Sequence, residues 1–332
     1  MNCQTIVSQN TFSPPLGLRN AHVQTILSSM GPRQFKLSKQ LTAIKGQQQD
    51  VILDCGEGVR LSGAINLAAQ TSSKQLAILI HGWEGSIESA YIVSMTNTLL
   101  SQGVDVFRLN MRDHGDSHHL NEGIFNSTLI DEVIGGIADL QQQFVYPSYH
   151  LIGFSLGGNF SLRVAANAHD RAVSLKNVIA FCPVIHAGAS NRVLNEAKNK
   201  LYGSYFVRKW KRSLRKKLVH FPEFSYAEKL DSMKTLEQMN DQLIPKYTGF
   251  RNVDEYFDAY ALDSERLSNT ICPCYLHFAK DDMIIPADGV EVLAENSNLD
   301  VVVTKHGGHC GFLSNWKFDS WQDDRALAII QS

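Results

Sequence analysis

Tyr149-His150-Leu151-Ile152-Gly153-Phe154-Ser155-Leu156-Gly157-Gly158-Asn159 is an apolar run that ends in a glycine-flanked serine and opens into a segment of helical period, Leu156–Ala168. A Gly-x-Ser-x-Gly string alone is common, because glycine and serine are common. Here it falls at the strand-to-helix junction that its chemistry demands. A serine on so tight a turn takes strained backbone angles, and the flanking glycines let strand and helix approach without Cβ clashes. Ser155 Oγ then projects beyond the end of a sheet; the alternative is an ordinary glycine-rich turn between strand and helix.

Outward from this junction, short apolar runs alternate with helix-period segments, the pattern of a mostly parallel sheet with flanking helices. The runs are Leu76–Ile80, Val104–Leu109, Tyr149–Phe154, Asn177–Phe181, Tyr275–Ala279 and Val301–Thr304; Tyr91–Leu100, Leu129–Phe144, Leu156–Ala168 and Val290–Glu295 read as helices. Val51–Leu53 and Leu61–Leu67 flank a Gly56-Glu57-Gly58 turn and predict an initial hairpin, preceded by a polar, irregular start. Between Phe181 and Tyr275 the gap is too long for one crossover helix, so a helical cap is expected over 186–269, with the core formed by 1–185 and 270–332.

A serine hydroxyl is a poor nucleophile at neutral pH and needs a base, itself held by a carboxylate. With the nucleophile on this turn, acid and histidine follow on loops after late strands. Lys280-Asp281-Asp282-Met283-Ile284-Ile285-Pro286 and Lys305-His306-Gly307-Gly308-His309-Cys310-Gly311-Phe312 sit there. Asp282 is the expected acid, four residues before Pro286, with Asp281 as the alternative. His309 is the expected base, because Gly307 and Gly308 free its loop to reach Ser155; His306, directly after the strand, reads as structural. For the oxyanion of an acyl-transfer intermediate, the expected donors are the backbone N–H groups of Leu156 and of Trp83, in the loop His81-Gly82-Trp83-Glu84-Gly85-Ser86. His81 reads as ordering that loop.

These four motifs together, with Asn20-Ala21-His22-Val23-Gln24-Thr25 near the start and Thr248-Gly249-Phe250 and Asp254-Glu255-Tyr256 in the inserted segment, resemble the YheT-like branch of the α/β-hydrolases. The resemblance spans nearly the whole chain. It implies the α/β-hydrolase fold and a serine-dependent carboxylic ester hydrolase, with lipid esters such as acylglycerols and phospholipids among the substrates. One departure is Arg112-Asp113-His114-Gly115-Asp116, where a loop of the Arg-Gly-Cys-Ser-Gly sort is expected.

Composition narrows the rest. The 332 residues are 44% hydrophobic with a net charge of −2, which supports a sizeable core and no nucleic-acid partner. No stretch approaches the ~18 apolar residues of a membrane span, and no secretory leader is apparent, so a cytoplasmic location is expected. Six dispersed cysteines favour free thiols, and Cys272-Pro273-Cys274 reads as strand entry rather than a metal pair. Three histidines and two aspartates crowd Asp113–His119, but a serine hydrolase needs no metal to activate water, so no metal and no cofactor are expected. In the cap, Arg208–Lys217 holds seven basic residues in ten beside Tyr202, Phe206, Trp210, Leu214 and Leu218. This amphipathic helix reads as an aromatic face packed inward and a basic face in solvent, with peripheral contact to an anionic membrane surface as the alternative. An acyltransferase on the same machinery, or a binding protein that keeps the fold without catalysis, remain as rivals; dehalogenase-like chemistry would need an aspartate at 155.

Overall fold

The computed structural model describes residues 7–8, 12–69, 74–167, 171–270, 272–287, 290, 293 and 297–332. The helix expected over Val290–Glu295 lies outside the described residues except at Val290 and Leu293.

A two-residue strand, β1 (Val7–Ser8), precedes α1 (Ala21–Ser29) and α2 (Pro32–Gly46). The start is therefore helical over 21–46, where irregular chain was expected. Its signals are local and thin. Asn20 caps α1 by accepting a hydrogen bond from Val23 N–H, Pro32 opens α2, and only Leu37 and Ile44 of α2 are deeply buried apolar residues. Then come β2 (Gln49–Asp54) and β3 (Arg60–Asn66), the expected antiparallel hairpin, with Gly56 and Gly58 at positive φ in its turn.

The remaining order is β4 (Gln75–Ile80), α3 (Ala90–Ser101), β5 (Asp105–Asn110), α4 (Ile130–Gln143), β6 (Ser148–Phe154), α5 (Leu156–Asn167) and β7 (Asn177–Phe181). Five helices follow: α6 (Ala187–Asn195), α7 (Lys200–His220), α8 (Leu236–Tyr247), α9 (Val253–Ala259) and α10 (Ser264–Leu267). The chain returns to the sheet in β8 (Cys274–Ala279) and β9 (Leu299–Thr304) and ends in α11 (Trp321–Gln331). The sheet order is β1-β9-β8-β7-β6-β4-β5-β3-β2, parallel throughout except for the pairs β2–β3 and β3–β5. This is the α/β-hydrolase fold.

Central strands are buried on both faces. On one, Ile134, Ile137 and Leu140 of α4 pack with Phe160 and Leu162 of α5; on the other, Ile92, Met95 and Leu99 of α3 pack with Ala326, Ile329 and Ile330 of α11. Because β4 lies between β5 and β6, the crossovers on its two sides diverge, and a crevice opens at the carboxyl ends of β4 and β6. The Ser155 turn and the loop 81–86 both leave the sheet there.

The basic face of α7 is largely docked rather than solvated. Lys217 is buried against Asp113 (Nζ to Oδ1 2.9 Å) and also donates to His118 O and Asn121 O. Lys216 donates to Gly115 O and pairs with Asp116, Lys209 donates to Glu84 O, and Lys211 donates to Asp231 O. Arg208, Arg212 and Arg215 are exposed, the last paired with Asp231. For Lys216 and Lys217 the physical reason is the acidic Arg112–Asp116 loop, which lies against the helix and whose Asp113 takes Lys217 out of water.

Candidate active site

Ser155 sits between β6 and α5 at φ +53°, the left-handed region that a side chain rarely takes, and its N–H is held by Phe181 O at 2.9 Å. The glycines around it are required by contact. A Cβ on Gly153 would stand 2.2 Å from Gly157 O, and one on Gly157 would stand 2.3 Å from Ile80 O. The turn therefore packs against the end of β4 with no space for a side chain.

His309 Nε2 lies 3.0 Å from Ser155 Oγ, and His309 Nδ1 lies 2.8 Å from Asp282 Oδ2. Asp282 is buried, and its other oxygen accepts from Ile284 N–H and Ile285 N–H at 2.8 and 3.0 Å, which fixes the carboxylate plane. Asp281 faces elsewhere: it accepts from Gly308 N–H at 2.9 Å and approaches His306 Nδ1 at 3.7 Å, so it ties down the histidine loop. Burial alone would disfavour the charged form of His309; the Asp282 charge and hydrogen bond outweigh it and hold the imidazolium pKa above the ordinary histidine range.

Gly82 backs directly onto the serine, since a Cβ there would lie 3.1 Å from Ser155 Cβ. The loop is held on both sides. Its Gly82 N–H donates to Tyr91 Oη at 3.0 Å, and its Glu84 N–H donates to His114 Nε2 at 3.0 Å. Burial lowers the pKa of His114 to about 4 and that of His81 well below its ordinary value, so both are neutral acceptors at neutral pH. His81 accepts from Met111 N–H and contacts Gly82 O, in keeping with a loop-ordering place. The Trp83 ring stacks on Phe206 at 5.3 Å and meets the edge of Trp210 at 5.2 Å, both from α7. Among the described residues, neither Trp83 N–H nor Leu156 N–H is spent on a protein acceptor; Leu156 opens α5, where the first N–H groups have none within the helix.

Two features escaped the sequence reading. Thr25 Oγ1 accepts from His309 N–H at 2.9 Å, and Gln24 bonds both N–H and C=O of Leu313, so α1 braces the histidine loop. The Asn20–Thr25 motif was the signal, but nothing in it points to His309. The second is Cys182, at φ +45° just after β7: its Sγ receives Cys310 N–H at 3.5 Å, next to the histidine. Among the described residues, the one group of three His, Cys, Asp or Glu side chains with converging donor atoms is Cys182, His309 and Cys310, all within 4.8 Å of one another. His114 and His118 are instead committed to Glu84, Arg112 and Ser213.

Ser155, His309, Trp83 and Glu84 border a cavity of 1490 Å³ that runs beneath α6–α9. Its lining includes the apolar Leu194, Leu243, Ile244 and Phe257 from α6, α8 and α9, and the polar Asp113, His118 and Arg212 from the loop after β5 and from α7. Glu84 faces it with a pKa raised by burial to about 8, an effect that Lys209 opposes.

The profile of the family described as "Alpha/beta hydrolase family" matches residues 77–318. The chain belongs to the alpha/beta hydrolase family. Within it, similarity extends to "Putative esterase YheT" of Escherichia coli, 24% identical over 92% of this chain and 88% of that one. It also extends to "Phospholipase ABHD3" of Homo sapiens, 23% identical over 97% and 78%. Among solved alpha/beta hydrolase structures, the Pyrococcus furiosus esterase Pf2001 superposes with a TM-score of 0.58 at 16% identity, covering 87% of this chain and 94% of that chain. At such identity this likeness speaks for the fold. No described helix is long and apolar enough to cross a membrane.

Proposed function

We propose that this protein is a serine-dependent carboxylic ester hydrolase that works through an acyl-enzyme. The observation that carries the reading is the continuous chain Ser155 Oγ, His309 Nε2, His309 Nδ1, Asp282 Oδ2, with links of 3.0 and 2.8 Å at the floor of a large cavity. Ser155 attacks the ester carbonyl as His309 takes its proton, and the N–H groups of Trp83 and Leu156 receive the oxyanion. His309 then gives the proton to the departing alcohol. In the second half, His309 takes a proton from water as the oxygen attacks the acyl carbon, then returns that proton to Ser155 Oγ as the acyl–serine bond breaks and the acid is released. No cofactor enters this sequence.

For the substrate we propose lipid esters, such as acylglycerols or phospholipids. The apolar lining residues of the cavity suit an acyl chain and the polar ones suit a head group, and relatives named as phospholipase and monoacylglycerol lipase support the same class. We place residues 186–269 as the cap that closes the acyl side. Its exposed Arg208 and Arg212, beside exposed Leu201 and Tyr205, form the face proposed to meet anionic lipid. A panel of esters graded in acyl length tests the reading. Turnover is expected for the parent and a loss of at least ~10³-fold for Ser155→Ala; equal turnover by a folded Ser155→Ala protein overturns it.

A further inference from the structure

Cys182 and Cys310 lie beside the histidine that the proposed reaction uses, and neither is needed for that reaction. Cys182 is fully buried at the end of β7, and Cys310 borders the same cavity as Ser155. Both residues hold positive φ, +45° and +52°, and Cys310 N–H reaches Cys182 Sγ at 3.5 Å between β7 and the histidine loop. The thiols are weakly engaged, Cys182 Sγ with Gly308 O at 3.9 Å and Cys310 Sγ with Phe181 O at 3.6 Å.

We propose that Cys182, Cys310 and His309 form an inhibitory site for a borderline-soft divalent cation, zinc being the best match. Two thiol sulfurs and one imidazole are a preferred donor set for zinc, and both sulfurs and one ring nitrogen of His309 already lie within 4.8 Å of one another. Tetrahedral zinc holds such ligand atoms roughly 3.5 to 3.8 Å apart, so about 1 Å of closure completes the set. His309 Nδ1 is engaged by Asp282, which leaves Nε2 as the ligating atom. A carboxylate on the far nitrogen is also the usual outer support of a zinc-bound histidine. The fourth position opens to the cavity, where water or Ser155 Oγ fills it.

The chemistry is simple exchange. Each thiol releases one proton to solvent on binding, the imidazolium form of His309 releases its Nε2 proton, two thiolates neutralise the dication, and nothing is oxidised or reduced. The Nε2 lone pair that would accept the Ser155 proton is then held by the metal, so turnover stops. Binding rests on the donor atoms alone, while loss of turnover rests on His309 being the base; the two are measured apart.

The first measurement is zinc binding to the full chain and to its Ser155→Ala variant by competition with a chromophoric chelator. One equivalent is expected in both, and cobalt in place of zinc is expected to give a thiolate-to-metal charge-transfer band. The second is ester turnover against free zinc, with the fully chelated protein as reference. A fall of about tenfold or more, reversed by chelator, is expected for the parent, and less than about twofold for Cys182→Ser with Cys310→Ala, each protein judged against its own metal-free rate. Absence of the charge-transfer band in the parent overturns the site whether or not the variants fold. Equal zinc sensitivity in the double variant also overturns it. Stoichiometric binding with unchanged turnover keeps the site and overturns His309 as the base.

Discussion

Asp281 and Asp282 are neighbours in sequence, yet their carboxylates serve different parts of the loop system: one holds Gly308 N–H, the other the imidazole. Asp282→Asn is therefore expected to lower kcat by orders of magnitude, and Asp281→Asn far less, as steady-state kinetics on a soluble ester will measure. A larger loss at Asp281 would contradict the assignment. The pH profile gives a second check. The base form of His309 exists above its pKa, which Asp282 raises, so kcat/KM should climb with pH through a midpoint above the ordinary histidine range. Asp282→Asn removes the charge that holds the imidazolium, so its midpoint should move to lower pH while the plateau falls. At this scale the sequence was readable because order, loop position and glycine content restrict each role to one or two residues. Cys182 was not, because a lone cysteine after a strand carries no pattern that points across the fold to His309.

The element that departs furthest from its sequence reading is α7. Its Lys216 and Lys217 dock onto the Arg112–Asp116 loop, so the unusual sequence of that loop and the basic end of the helix explain one another: Asp113 and Asp116 are the counter-charges of Lys217 and Lys216. Removing one partner of the buried pair leaves the other charge uncompensated, so Lys217→Met should cost about 3–5 kcal/mol of stability, read by urea denaturation. A shift under about 1 kcal/mol would show that the pair is not what holds the helix down. Membrane contact, if it uses this helix, falls to its outer face. Arg208→Glu with Arg212→Glu should weaken binding to anionic vesicles by roughly 1 kcal/mol per arginine removed, more at low salt, as vesicle co-sedimentation will measure. Equal vesicle binding at low salt rejects the interfacial role. The strands were legible because both-face burial writes continuous apolar runs. Helices α1, α2 and α11 were not, because each buries only a narrow stripe and its remaining surface is polar. The pairing of a helix with a loop about a hundred residues away has no sequence period to betray it.

At the scale of the whole molecule, the sheet brings three loops from distant parts of the chain to one edge, and the helices between β7 and β8 roof the resulting cavity. The alternation of runs and crossovers announces a mostly parallel sheet, so the fold class was open to the sequence, whereas the placing of β4 between β5 and β6 was not. The brace from α1 to the histidine loop and the clamp of Phe206 and Trp210 on Trp83 are contacts of shape, which only the assembled molecule defines. The central claim, that this assembly activates Ser155, is tested most directly by reaction of the chelated full chain with a fluorophosphonate, followed by peptide mass mapping. One adduct per chain on the peptide holding Ser155 is predicted, formed rapidly in the parent and slowed by orders of magnitude in His309→Ala. An adduct on another residue, or labelling of Ser155 that is indifferent to His309, would contradict the account.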